Sequence, residues 1–234
     1  MQTSHITLSV ADGTSMQAFT AVPDGRSTGS GLILFQEAFG VSGHIQGIAR
    51  KLAAEGFSVI APELFHRSAP AGWVAPYGGD WSLIMPHFQA LTPEGLGMDA
   101  RAAYDWLTAR GIGRVGAIGF CLGGRVAFLA NAELPLGAAV SYYGGSLDQI
   151  AFMAPRLHGA HLFLWGGLDK HITPHVRSAV LEAVEAAGKP HASIVFSYAD
   201  HAFNNDERPS FNPDASREGW ALSMAFLKGR LGGA

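Results

Sequence analysis

Residues 119–124 read Gly119-Phe120-Cys121-Leu122-Gly123-Gly124, and Cys121 is the only cysteine of the chain. The run Arg114-Val115-Gly116-Ala117-Ile118-Gly119 ahead of it predicts a short buried strand, and Leu122 to Asn131 after it predicts a helix with small and apolar faces. Cys121 therefore falls on a sharp strand-to-helix turn, the arrangement of a G-x-S-x-G nucleophile elbow with sulfur in place of oxygen. Flanking glycines let two backbones pass close together, and the turn lifts the nucleophile above the sheet edge. The pentapeptide alone leaves another reading open, because a lone cysteine is often a small buried hydrophobe and glycine-flanked strand ends are common.

The chain has 234 residues, 48% of them hydrophobic, which fits one α/β domain, residues 1–234, with a sizeable core. One cysteine excludes an intramolecular disulfide framework, and Met1-Gln2-Thr3-Ser4-His5 has neither a basic nor an apolar leader region. No apolar run reaches the ~18 residues of a membrane span. The expectation is a soluble cytoplasmic protein, a monomer or homodimer, with no membrane partner. A net charge of −3 spread along the chain argues against nucleic acid, whose binders cluster lysine and arginine on one face.

Outward from the elbow, the chain alternates strands and helices. Ile6 to Val10 and Met16 to Val22 predict a meander about Ala11-Asp12-Gly13, and Pro23 to Gly31 reads as a loop. Leu32-Ile33-Leu34-Phe35 is a continuous apolar strand leading into Gln36-Glu37-Ala38-Phe39-Gly40, with a helix from His44 to Glu55 and a strand at Phe57 to Ala61 beyond. Helices are predicted at Pro93 to Ala109, Pro174 to Ala187 and Pro213 to Leu231, with strands at Gly137 to Tyr143, His161 to Trp165 and Ala192 to Tyr198. Such βαβ alternation favours a mostly parallel sheet.

Residues 66–92 break the rhythm with Pro70, Pro76 and Pro86 among Trp73, Tyr77, Trp81 and Phe88. A loop of this length in a compact domain is functional or disordered, and four aromatic residues argue against disorder. The segment is read as a lid or pocket wall near Cys121, with the four aromatics as substrate-binding candidates. Gly111-Ile-Gly113-Arg-Val-Gly116 matches G-x-G-x-x-G but follows a helix and opens a strand, the reverse of a dinucleotide fingerprint. His171 and His175 are interrupted by Pro174 and belong to no H-E-x-x-H pattern, so neither a metal nor another cofactor is expected.

A cysteine at an elbow needs a base, and the base needs an orienting carboxylate. In α/β-hydrolases these follow the nucleophile in the order acid, then histidine, each on a loop at the carboxyl end of a later strand. Asp169 follows Leu162-Phe163-Leu164-Trp165, and His201 follows Ser193 to Tyr198. Asp200 is a rival, but neighbours on an extended loop point to opposite sides, and Asp148 lies on a loop without a comparable signature. The expected triad is Cys121, His201 and Asp169.

The blocks Gln36-Glu37-Ala38-Phe39-Gly40, Gly119 to Gly124, Gly167-Leu168-Asp169 and His201-Ala202-Phe203 resemble, in order, the four signature blocks of the dienelactone hydrolases (carboxymethylenebutenolidases). The resemblance spans essentially the whole chain. It implies an α/β-hydrolase fold, a mostly parallel central sheet with helices on both faces and no large cap domain, and a Cys-His-Asp triad that attacks a small ester or lactone. It also implies that Glu37 exchanges partners with the thiol when substrate enters, so that the thiolate forms mainly in the complex. A thiol of pKa ~8.5 in apolar surroundings is poorly ionised, and a nearby base can take its proton. The backbone N–H groups of Ala38 and Leu122 are the expected oxyanion donors.

The chain departs from the family where substrate charge is read. Better-known members hold a substrate carboxylate with two arginines, one from the segment before the elbow helix and one four residues after the histidine. Here that second position is Asn205, no arginine or lysine lies between Arg67 and Arg101, and Arg208 is the nearest replacement. Neutral lactones or short aryl esters are accordingly expected as the better substrates. The rival readings are a hydrolase-fold binder or sensor without turnover, and a dehalogenase or peptidase on the same scaffold.

Overall fold

A computed structural model of the chain describes residues 1–24 and 29–232; part of the loop expected over 23–31, residues 25–28, lies outside them. Strands β1 (Gln2–Ser9) and β2 (Ser15–Val22) form an antiparallel hairpin whose turn needs Gly13 at φ +85°. Strand β3 (Ser30–Phe35) leads to helix α1 (Gly43–Ala54) and strand β4 (Ser58–Pro62), which pairs parallel with β3 and antiparallel with β2. The short helix α2 (Met85–Gln89) and the long helix α3 (Pro93–Thr108) follow, then β5 (Arg114–Phe120) and α4 (Leu122–Glu133). The remainder is β6 (Ala138–Tyr142), β7 (Ala160–Gly166), α5 (Pro174–Ala186), β8 (His191–Phe196) and α6 (Pro213–Leu231).

The eight strands make one sheet in the order β1-β2-β4-β3-β5-β6-β7-β8, parallel from β4 to β8. Every residue of β3, β6 and β7 is buried, as expected for parallel strands covered on both faces, and this is why they read as unbroken apolar runs. Helices α1 and α6 lie on one face, joined by Lys228 Nζ donating to Glu55 Oε2 at 2.5 Å; α3 and α4 pack together on the other. Among the described residues, no separate cap is built on this sheet.

The sequence boundaries shift where long-range pairing outweighs local pattern. β1 starts at Gln2 rather than Ile6 because the polar residues Thr3 and Ser4 still find partners in β2: Ser4 Oγ lies 2.8 Å from Thr20 Oγ1. β8 stops at Phe196, and a turn in which Ala199 N donates to Phe196 O begins the histidine loop. Asp148–Arg156, unassigned in the sequence, forms a 3₁₀ stretch with Pro155 inside it and Ile150, Ala151, Met153 and Ala154 on its buried face. Within 66–92, Val74 bridges to Gly40, Trp81–Leu83 forms a 3₁₀ turn capped by Asp80, and α2 follows, so the segment is a folded wall built on the loop after β3. Among the described residues, no helix is long and apolar enough to cross a membrane.

Candidate active site

Cys121 sits between β5 and α4 with φ 55° and ψ −114°, a conformation L-residues rarely adopt. The glycines around it answer to backbone contact. A Cβ on Gly119 would collide with the Gly123 carbonyl, and one on Gly123 with the Phe35 carbonyl at the end of β3. The strained turn is held by Cys121 N donating to Tyr142 O at 3.1 Å and by Gly124 N donating to Cys121 O at 3.0 Å. The result is a half-exposed thiol at the carboxyl end of the sheet.

His201 arrives from the loop after β8, its Nε2 3.2 Å from Cys121 Sγ and its Nδ1 2.7 Å from Asp169 Oδ2. Asp169, on the loop after β7, has a fully buried side chain whose Oδ1 accepts from the backbone N–H groups of His171 and Ile172 at 2.8 and 3.1 Å. These two bonds fix the carboxylate, leaving Oδ2 for the imidazole. Asp200 instead folds back on its neighbour, accepting from the His201 backbone N–H at 2.7 Å. Burial alone would lower the His201 pKa, but the Cys121 sulfur and then the Asp169 carboxylate lift it to about 10. Burial likewise works against the Asp169 carboxylate, yet its bond to His201 and the two backbone donors hold its pKa below the ordinary value.

Glu37 follows β3 and is 1% exposed. Its Oε2 accepts from Asn205 Nδ2 at 2.7 Å and from Tyr77 Oη at 3.1 Å, while Oε1 is buried without a partner. In this arrangement the thiol faces His201, and Glu37 is engaged elsewhere. The Tyr77 hydroxyl also lies 2.8 Å from Ser42 Oγ, the N-cap of α1. Burial and then the Glu37 charge push the Tyr77 pKa up, keeping the phenol a proton donor. Neither the Ala38 nor the Leu122 backbone N–H donates a hydrogen bond among the described residues, as expected of N–H groups at a helix start and on a turn facing a cleft.

These groups meet at a cavity of about 520 Å³ whose wall includes Ala38, Cys121 and His201, a size typical of small-molecule sites. Of the four aromatics expected in its wall, Trp81 and Phe88 line it. Trp73 turns away and packs edge-on against Phe65 and His87, and Tyr77 is taken by Glu37. Arg208 lines the cavity with its guanidinium 5.3 Å from the Phe39 ring centroid, and Lys170 stands nearby. The wall thus carries two cations, Arg208 and Lys170, beside one carboxylate, Asp200, despite Asn205, and the two cations weaken the ground for expecting neutral substrates. Asn205 as a partner of Glu37, Lys170 and His171 in the wall, and Tyr143 against the His201 ring at 5.1 Å were missed in the sequence. Only position offered a signal: Lys170 and His171 adjoin Asp169, and Tyr143 follows β6 at the same sheet edge. Among the described residues, no group of three or more His, Cys, Asp and Glu side chains is placed to hold a metal ion.

The model of the dienelactone hydrolase family matches residues 16–231. The chain belongs to the dienelactone hydrolase family. A provisionally named carboxymethylenebutenolidase of Escherichia coli O157:H7 is 34% identical over 232 residues, covering 93% of this chain and 84% of that one. A provisionally assigned dienelactone hydrolase of Klebsiella pneumoniae superposes with a TM-score of 0.85 at 29% identity, covering 97% and 99% of the two chains. A dienelactone hydrolase-like promiscuous phosphotriesterase from metagenomic libraries has a TM-score of 0.80 over 98% and 99% of the chains; at 23% identity it shares the fold. Membership makes the chain a carboxylic ester hydrolase with the α/β-hydrolase fold, acting on a small ester or lactone.

Proposed function

We propose that this dienelactone hydrolase family member cleaves its ester or lactone through a thioester on Cys121, with His201 as general base and acid and Asp169 as its orienting carboxylate. The observation that carries the reading is the unbroken contact Asp169–His201–Cys121, 2.7 and 3.2 Å, opening onto the 520 Å³ cavity. As substrate enters, Glu37 takes the thiol proton, the sulfur attacks the carbonyl carbon beside the His201 imidazolium, and the N–H groups of Ala38 and Leu122 receive the developing oxyanion. Collapse of the tetrahedral adduct breaks the C–O bond, and the imidazolium gives its Nε2 proton to the leaving alkoxide. Water then attacks the thioester, His201 takes its proton, and the acid is released with the thiol restored.

Glu37 is the proposed gate: a buried carboxylate held by Asn205 and Tyr77 with one oxygen unpaired has capacity to accept the thiol proton when substrate rearranges the site. We place the protein in the cytoplasm on its composition and its single thiol. Pre-steady-state hydrolysis of p-nitrophenyl acetate tests the reading. Wild type should give a burst, and Cys121→Ala neither burst nor turnover with the fold retained. A protein that only binds small carbonyl compounds gives no turnover in either form; faster cleavage of amides or haloalkanes than of esters and lactones would favour a peptidase or dehalogenase.

A further inference from the structure

A second cavity, of about 340 Å³, lies between α3, α4 and the Asp148–Arg156 stretch. Its inner wall is apolar and buried, formed by Leu96, Val126, Leu129, Ile150 and Met153. Phe152, 77% exposed, stands at its rim. Its polar lining is Thr92, Gln149 and Arg125, with no acidic residue.

Arg125 is the unusual member. It is half-buried on α4, four residues past Cys121, yet among the described residues its guanidinium makes no hydrogen bond and no ion pair; its recorded contact is the Phe88 ring, 5.5 Å from the guanidinium carbon. Burial pulls its pKa below the ordinary value and the Cys121 sulfur acts the other way; among the described residues no carboxylate compensates the charge. Two other half-buried cations are paired, Arg177 with the Gly166 and Ile172 carbonyls and Lys189 with the Leu157 carbonyl, whereas Arg208, in the catalytic cavity, resembles Arg125 in resting on aromatic rings. A planar fork of donors with nothing to bind, at one end of an apolar cavity, matches a carboxylate that carries an apolar tail. Small inorganic anions would gain the charge contact but waste the greasy wall; neutral lipids or alcohols would leave Arg125 unpaired.

We propose that this cavity is a binding site for an aliphatic or aryl monocarboxylate, its carboxylate on Arg125 and its tail against Leu96, Leu129, Ile150 and Met153. The site is separate from the catalytic cavity, and the Phe88 ring, which lines that cavity and faces Arg125, is the shared wall. The proposal stands whether or not Cys121 is the nucleophile, because binding is its readout.

Isothermal titration of the full-length protein with sodium octanoate tests it, with octanol as the uncharged control. Wild type should bind octanoate in the millimolar range or tighter, and octanol at least about tenfold more weakly, since a charge-assisted bond is worth a decade or more in affinity. Arg125→Gln should lose at least about tenfold. Gln149→Glu, an exposed position in the cavity lining where folding is not at stake, should lose a comparable factor by placing a competing carboxylate beside Arg125. Arg208→Gln, in the catalytic cavity, should bind as wild type does. No octanoate binding to wild type, equal binding of octanol, unchanged binding in both Arg125→Gln and Gln149→Glu, or a loss confined to Arg208→Gln would each overturn the proposal.

Discussion

Replacing Asp169 by Asn isolates the role given to the buried carboxylate, because the amide keeps the size and one acceptor. Its Oδ1 can go on receiving the His171 and Ile172 N–H groups, now at 2.8 and 3.1 Å. The amide nitrogen is then turned toward His201 Nδ1, where Oδ2 lies at 2.7 Å today. An N–H donor there demands an unprotonated Nδ1 and places the proton on Nε2, the atom that must accept from the water attacking the thioester. The lost charge-assisted bond alone is worth ~1.5–3 kcal/mol, about ten- to hundredfold in rate. The wrong tautomer adds to this, reaching about 10⁴ in kcat for serine proteases, and a more acidic thiol nucleophile should depend on it less. The expected loss in kcat/KM for p-nitrophenyl acetate is therefore about 10²- to 10³-fold, with thermal stability checked in parallel. Asp200→Asn, whose carboxylate accepts from the His201 backbone N–H at 2.7 Å and not from its ring, should lose about threefold or less. Equal losses at the two positions, or a drop below about tenfold for Asp169→Asn, would refute the assignment of the orienting role.

The imidazole offers a pH test. His201 has its pKa raised from 6.5 to about 10, so the protonated form is favoured by folding; its contribution to stability is complete below pH 6.5 and is lost as pH rises through about 10. NMR titration should find the wild-type ring protonated through neutral pH, and Cys121→Ala, which removes the strongest of the groups raising it, should bring the midpoint down; a wild-type midpoint near 6.5, or no movement in the variant, contradicts this. Glu37→Gln should bind substrate nearly normally and acylate slowly, with the deficit shrinking as pH approaches the thiol pKa; an unchanged burst leaves Glu37 a structural residue. Arg208→Gln should lower kcat/KM for a carboxylate-bearing lactone about tenfold relative to a neutral aryl ester. Equal effects on the two substrates would show that Arg208 does not read charge, and would favour the neutral-substrate expectation drawn from Asn205.

What could be read from the sequence was what local sterics and sheet architecture dictate. Gly119 and Gly123 are required by contacts within a few residues of Cys121 and with the neighbouring strand, so the elbow was legible as a short motif. The meeting of Asp169 and His201 with Cys121 followed from parallel strands delivering their carboxyl ends to one edge. Contacts without a local signature escaped. Glu37 and Asn205 are 168 positions apart, and nothing near Asn205 distinguishes an amide that holds a carboxylate from a solvated loop residue. Trp73, Tyr77, Trp81 and Phe88 looked equivalent in composition, yet the Val74–Gly40 bridge and the turn at Trp81–Leu83 send two toward the cavity and two away from it. The 3₁₀ stretch Asp148–Arg156 escaped although its apolar residues share a face, because it is only nine residues long, has Pro155 inside it and is held by packing on α4 and α5.

The central claim is a covalent acyl enzyme on Cys121, and intact-mass analysis of rapidly quenched protein tests it most directly. Mixed with p-nitrophenyl acetate and acid-quenched within the burst, wild type should gain the mass of one acetyl group, mapped by peptide fragmentation to Cys121, and His201→Gln should gain it far more slowly. Continued turnover with no adduct at any quench time, or an acetyl group mapped to another residue and retained in Cys121→Ala, would contradict the account.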